Sequence, residues 1–293
     1  MSTFLAQSHI TEEARLAKFR EICMKYEISE SSIRKLRKYE GKTKIVVIAD
    51  NSGSMEMPIC DPANYDDPLS CVPTRWEELY NFLGIITEIS ACVNKSGFDI
   101  HFINPISTHE DNQVTGGCTA RNVGARALTD PSYIPDTDLD PYFNVAAPSG
   151  YTPLTQVFDA AVTEKLSEID SSQNLMVIIA TDGEPTNRRG EEDKNAKEFE
   201  RALKNRQQLN RVFVSLMACT DDSASVGYFD KMDKIKGVDT NDDYYTMRGK
   251  VRKHMGKKHK FSYGDYVVKC MLGPMDKELD NLDGSGGFLS KLF

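Results

Sequence analysis

Between Lys44 and Cys219 the chain alternates short, continuously apolar runs with longer amphipathic stretches. The runs are KIVVIAD (44–50), FDIHFIN (98–104), LMVIIAT (175–181) and RVFVSLMAC (211–219). Each has strand length and is apolar on both faces. The stretches between them, TRWEELYNFLGIITEISACVNKS, PLTQVFDAAVTEKLSEI and EEDKNAKEFERALKNRQQ, carry helical periodicity. Strands buried on both sides that alternate with helices predict an α/β fold: a mostly parallel sheet with helices on both faces. Residues 11–40 read as two helices, an acidic-started one after Thr11 and a basic one ended by Gly41. A further helix is expected near Ser225–Ile235, and a last one in FSYGDYVVKCMLG (261–273). Residues 104–149 read as irregular, broken by Asn104-Pro105, Gly116-Gly117, Asp130-Pro131, Asp140-Pro141 and Pro148. The expected division is a helical appendage over 1–43, the α/β domain over 44–235, a C-terminal extension over 236–283 and a flexible tail over 284–293.

Size and charge narrow the function classes. At 293 residues the chain is about as long as one hydrophobic core supports. No apolar run approaches the roughly 20 residues of a membrane span. The polar start, MSTFLAQSHITEEARLAKF, has no signal-peptide core. Thirty-six basic against 44 acidic residues leave a net charge of -8, which argues against a nucleic-acid binder. The basic run MRGKVRKHMGKKHK (247–260) is read as a solvated face that pairs with Asp239, Asp242 and Asp243. The seven cysteines are odd in number and contain no CxxC pair, so free, mostly buried thiols in an intracellular, cytoplasmic protein are expected. Trp76, beside Leu79, Phe82 and Leu83, is expected in the core, as is His101.

Candidate chemistry sits where strands run into loops, the place where ligands bind in open α/β sheets. The first strand ends in Asp50, followed by Ser52 and Ser54. The loop before the Pro153 helix carries Thr152, and LMVIIAT runs into Asp182. Two carboxylates and three hydroxyls, without thiolate or imidazole, form a hard oxygen set that suits Mg²⁺, Mn²⁺ or Ca²⁺ rather than zinc or copper. In an extended turn Asp50, Ser52 and Ser54 point the same way, and Gly53 lets the backbone come close.

With these three pieces, residues 44–235 resemble a von Willebrand factor A domain, and the pieces resemble its metal-ion-dependent adhesion site. Ser149-Gly150-Tyr151-Thr152-Pro153-Leu154 is similar to the family's Gly-Gly-Thr-Pro-Leu, with Tyr151 replacing a small residue. The resemblance implies a Rossmann-like fold in which Ser52, Ser54 and Thr152 touch the ion directly and Asp50 and Asp182 act directly or through water. Thr74–Leu79 and Asp265–Lys269 resemble intracellular members from microbial eukaryotes and their large DNA viruses, which leaves a virion location open. Residues 56–73 and 104–149 are longer than the family's links. They are expected around the metal face, carrying Asp61, Asp66, Asp67, Asp136, Asp138 and Asp140.

The function expected is non-enzymatic: a scaffold or adhesion module whose Mg²⁺ captures an acidic side chain of a protein partner. The oligomeric state is left open. One alternative is a structural subunit of a larger assembly, such as a virion, in which the metal only stiffens loops. The other is a Mg²⁺-dependent hydrolase. Ser52 stands where aspartyl-nucleophile phosphohydrolases carry a second carboxylate, and neither a phosphate loop nor a GxSxG elbow is present.

Overall fold

The computed structural model describes residues 12–59, 72–106, 119–127, 130, 132–144, 147–191, 195–220, 222 and 227–284. Six strands form one sheet: β1 (Thr43–Ala49), β2 (Phe98–Phe102), β3 (Thr119–Val123), β4 (Asn174–Thr181), β5 (Val212–Ala218) and β6 (Val238–Asn241), in the order β3-β2-β1-β4-β5-β6. All neighbours are parallel except β2 and β3. The α/β class and the mostly parallel sheet match the sequence reading.

Strand pleating divides the core in two. Ile45, Val47 and Ala49 of β1 join Met176, Ile178 and Ala180 of β4 in one cluster, while Val46, Ile48, Leu175, Val177 and Ile179 join the other. Successive side chains leave opposite faces of a strand, so each continuous apolar run feeds both clusters. The first face is covered by α1 (Glu12–Lys25), α2 (Glu30–Tyr39), α3 (Arg75–Val93), α4 (Asp136–Phe143) and, later in the chain, residues Met247, Val251 and Phe261 to Leu272. The second is covered by α5 (Leu154–Glu168), α6 (Asn195–Asn205) and the short α7 (Phe229–Met232).

Two elements lie in stretches read otherwise from sequence. β3 and α4 fall inside the 104–149 segment expected to be irregular. β3, Thr-Ala-Arg-Asn-Val, is an edge strand with polar positions, and α4 accommodates Pro141 within it. β6, Val-Asp-Thr-Asn, supplies the opposite edge from within the segment set apart as a C-terminal extension. Where a helix was expected over 225–235, the described part is the single turn of α7. Trp76 does lie in the core, stacked on Phe143 at 4.1 Å, and His101 is buried.

The two ends of the chain hold each other. Asp265 lies in the first turn of α9 (Tyr263–Leu272), and its Oδ1 accepts from the Ser29 N–H (2.9 Å) and the Ser32 hydroxyl (2.6 Å). Lys38 and Lys35 reach Asp276 at 2.8 and 3.0 Å, and the Tyr39 hydroxyl donates to the Met275 carbonyl. The basic run lies on α8 (Tyr244–Met255) and the turn after it. Of its expected acidic partners only Asp242 pairs with it, through Lys250. Asp243 instead caps α8, accepting from the Tyr245 and Thr246 N–H groups.

Asp239 is taken by Lys269 of α9, whose Nζ lies 3.0 Å from its Oδ2 with both side chains fully buried. Burial alone would lower the Lys269 pKa; Asp239, with Asp283 behind it, reverses that and holds it above its usual value. Breaking a buried pair from one side strands a charge, at a cost of about 3–5 kcal/mol. Lys269→Met should therefore destabilise by about that amount in urea unfolding, and adding Asp239→Asn should recover at least half. Equal losses in the single and double variants would show that the pair contributes only packing.

Candidate functional site

The sheet order reverses direction between β1 and β4, which lie side by side with Ala49 opposite Ala180. The crevice at such a switch point, at the carboxyl ends of the strands, is where open α/β sheets bind ligands. Asp50 follows β1 directly and Asp182 follows β4, so both carboxylates arrive at this crevice. Both are buried.

Hydrogen bonds join four of the five sequence-predicted residues. Asp50 Oδ1 accepts from the Ser52 N–H at 2.8 Å, and Oδ2 from the Thr181 hydroxyl at 2.5 Å. The Ser52 and Ser54 hydroxyl oxygens are 3.2 Å apart, and the Ser54 hydroxyl donates to Asp182 Oδ1 at 2.8 Å. Ser54 lies in a single 3₁₀ turn, Gly53–Glu56, which bends the chain back towards β4.

The Thr152 loop is tied to this cluster through backbone. The Gly53 N–H donates to the Gly150 carbonyl (3.3 Å) and the Ser149 N–H to the Asn51 carbonyl (2.8 Å). Thr152 exchanges two bonds with Thr186 beyond β4, donating its N–H to the hydroxyl and accepting from the Thr186 N–H, both at 2.9 Å. Gly150 has φ +89°, and a Cβ there would lie 3.0 Å from Asn104 Oδ1, so the close approach favours glycine. Tyr151 is half exposed at 53%, with its ring across Gly190.

Two residues act here that the sequence reading did not single out as site residues. Asn51 bridges the ends of β1 and β2: its Oδ1 accepts from the Asn104 N–H (2.8 Å) and its Nδ2 donates to the Asn104 carbonyl (3.1 Å). The Asn104 side chain then donates to the Tyr151 carbonyl at 2.7 Å, carrying the link to the Thr152 loop. Arg75, first residue of α3, sends its guanidinium into the cluster and meets Asp182 Oδ2 at 2.6 Å. A basic residue in the first turn of a capped helix, against the helix dipole, was the available signal for it.

The electrostatics favour a cation. Burial, with Asp182 adding to it, pushes Asp50 up to about 6, although bonds from Ser52 and Thr181 favour its charged form. Burial, with both carboxylates adding, pushes the neighbouring Cys219 thiol well above its usual pKa. Among the described residues no group of three His, Cys, Asp or Glu side chains gathers to hold a metal, so an ion bound here would depend on hydroxyls for its remaining donors. The oxygen spacing suits them to it. Adjacent oxygens of an octahedral Mg²⁺ shell, with metal–oxygen distances near 2.1 Å, stand about 3 Å apart. The Ser52–Ser54 and Ser54–Asp182 spacings of 3.2 and 2.8 Å bracket that value.

Of the acids expected to ring this face, Asp61, Asp66 and Asp67 lie outside the described residues, as do His109, Cys60, Cys71 and Cys118 and the tail beyond Gly284. Asp138 and Asp140 are turned to their own chain: Asp138 accepts from the Gly124 N–H and the Tyr133 hydroxyl, and Asp140 from the Tyr80 hydroxyl. Cys23, Cys219 and Cys270 are free and buried. No described helix is long and apolar enough to cross a membrane.

No family model and no curated protein matches this chain. Among solved structures, proximal thread matrix protein 1 from the mussel byssus matches at 11% identity and a TM-score of 0.42, over 80% of this chain and 48% of its own. The chain thus spans about half the length of that protein.

The Asn51 bridge predicts a measurable coupling. Asn51→Ala removes two part-buried hydrogen bonds and leaves the Asn104 backbone groups without these partners, which should cost about 1–3 kcal/mol in urea unfolding. Amide exchange at Gly150 and Thr152 should accelerate with it. A full stability loss with unchanged exchange in that loop would show that Asn51 does not order the Thr152 side of the site.

Proposed function

We propose that this chain is a metal-dependent protein-binding module of the von Willebrand factor A kind, in which a Mg²⁺ ion, or Mn²⁺ or Ca²⁺ in its place, captures a carboxylate of a protein partner. The observation that supports it most is the convergence at the switch point: Asp50, Ser52, Ser54 and Asp182 in one hydrogen-bonded oxygen cluster, with the Thr152 loop fastened to it. Capping and turn formation explain each piece singly, but not the meeting of all of them where two buried carboxylates need a counter-charge.

Ser52, Ser54 and Thr152 would hold the ion through neutral oxygens, with Asp50 and Asp182 directly or through water. A shell that relies on neutral hydroxyls, with a carboxylate acting through water, leaves the ion a coordination position open to an anionic oxygen. The residues around it do the selecting. Thr181 and Ser52 fix the Asp50 carboxylate, Thr186 fixes the Thr152 backbone, and the half-exposed Tyr151 ring offers apolar contact at the rim. We assign the site to binding rather than catalysis on the fit of its neutral oxygens and open position to a partner's carboxylate.

Calorimetric titration of the full chain with Mg²⁺ and Mn²⁺ should show one site per chain. Thr152→Ala and Ser54→Ala should each weaken it at least about tenfold, equivalent to ~1.4 kcal/mol, with the fold intact by circular dichroism. The Mn²⁺-loaded chain should broaden the methyl proton resonance of added acetate more than the Thr152→Ala variant does at equal total Mn²⁺. Cation binding that ignores both substitutions would remove these residues from the site. Binding without acetate relaxation would make the ion a loop stabiliser, as in a purely structural subunit.

A further inference from the structure

One cation is already built into the cluster. The Arg75 guanidinium sits 2.6 Å from Asp182 Oδ2, with Arg75 nearly and Asp182 fully shielded from solvent. Its placement runs against two ordinary preferences. Arg75 opens α3, where the helix dipole disfavours a positive charge. Its Nε is buried and has no hydrogen-bond partner among the described residues, so the guanidinium is incompletely satisfied where it lies. The helix start does not need it. Thr74 and Glu77 already form a complete capping box, and the part of Arg75 that joins the local fold is its backbone N–H, donated to the Met57 carbonyl at 2.9 Å. What holds the side chain in place is Asp182.

We propose that Arg75 is the site's resident counter-cation, which a divalent ion displaces from Asp182 on binding, so that cation capture and release of the Arg75 side chain at the start of α3 are one event. The inference rests on reading the cluster as a divalent-cation site and adds its regulation. Charge accounting sets the direction. Two carboxylates and one guanidinium leave one net negative charge; a divalent ion added beside a seated Arg75 would leave a net positive charge in a buried site. With Arg75 withdrawn, the ion and the two carboxylates balance. Both oxygens of Asp182 are also engaged, Oδ1 by Ser54 and Oδ2 by Arg75, so freeing one of them makes room for an ion or its water. The exchange favours divalent over monovalent ions. A monovalent ion replaces one unit charge by another and gains little, whereas a divalent ion gains a full charge against the same two carboxylates.

Trp76 is the only tryptophan of the chain and follows Arg75 directly, so it reports on the first turn of α3. Mg²⁺ titration of the full chain should change Trp76 emission with the same midpoint as the calorimetric binding curve. Arg75→Gln, which removes the competing charge, should bind Mg²⁺ and Mn²⁺ at least about tenfold more tightly, a gain of ~1.4 kcal/mol, and lose most of the emission change. Arg75→Lys keeps the charge and should stay within about threefold of the parent. Equal or weaker binding by Arg75→Gln, with parental binding intact, overturns the displacement while leaving the cation site standing. Absence of Mg²⁺ and Mn²⁺ binding in parent and Arg75→Gln alike removes the cation site and this inference together. If Arg75→Gln does not fold, the parent alone decides: unchanged Trp76 emission at calorimetric saturation means that Arg75 stays seated.

Discussion

Two carboxylates buried at the ends of neighbouring strands set the terms for the rest of the site. Asp50 and Asp182 cannot both be charged in a dry crevice without compensation, and the surrounding residues can be understood as partial answers to that demand. Hydroxyls of Thr181 and Ser54 and the Ser52 N–H donate to them, and Arg75 brings a full positive charge. The answer is incomplete, because Asp50 remains displaced to about 6 by burial and by Asp182. In the proposed reading a divalent cation meets the remaining demand.

The fold delivers this arrangement and is braced to keep it. Parallel pairing of β1 with β4 brings the two acids together, and the two cores on either face of the sheet make that pairing rigid. The N-terminal helices and the C-terminal segment are tied to each other through Asp265 and Asp276 and cover the same face as α3, the helix that carries Arg75. At the opposite edge the buried Lys269–Asp239 pair fastens α9 to β6. The turn at Ser52 and the Thr152 loop are joined by backbone bonds and, through Asn104, by Asn51.

Much of this was legible in the sequence because it rests on continuous apolar runs and on oxygen side chains directly after them. KIVVIAD and LMVIIAT announce buried parallel strands, and the strand-end position of Asp50 and Asp182 then follows from chain direction alone. β3 and β6 were missed because edge strands are paired on one side and need no apolar run; the Asp and Asn of β6 are buried only because Lys269 and Ser215 meet them. Arg75 was missed as a site residue because it is separated by a long insertion from the turn it serves, and only the tertiary contact joins them. Asp138 and Asp140 accept hydrogen bonds that spacing did not disclose, Asp140 from the distant Tyr80.

A divalent cation in the crevice between the ends of β1 and β4 would be visible to anomalous diffraction. Crystals of the full chain soaked in Mn²⁺, with data collected near the manganese absorption edge, test it most directly. One dominant anomalous peak is expected within coordination distance of Ser52, Ser54 and Thr152, with the Arg75 guanidinium moved off Asp182. An empty crevice with Arg75 still paired to Asp182, or a dominant peak elsewhere on the molecule, would contradict it.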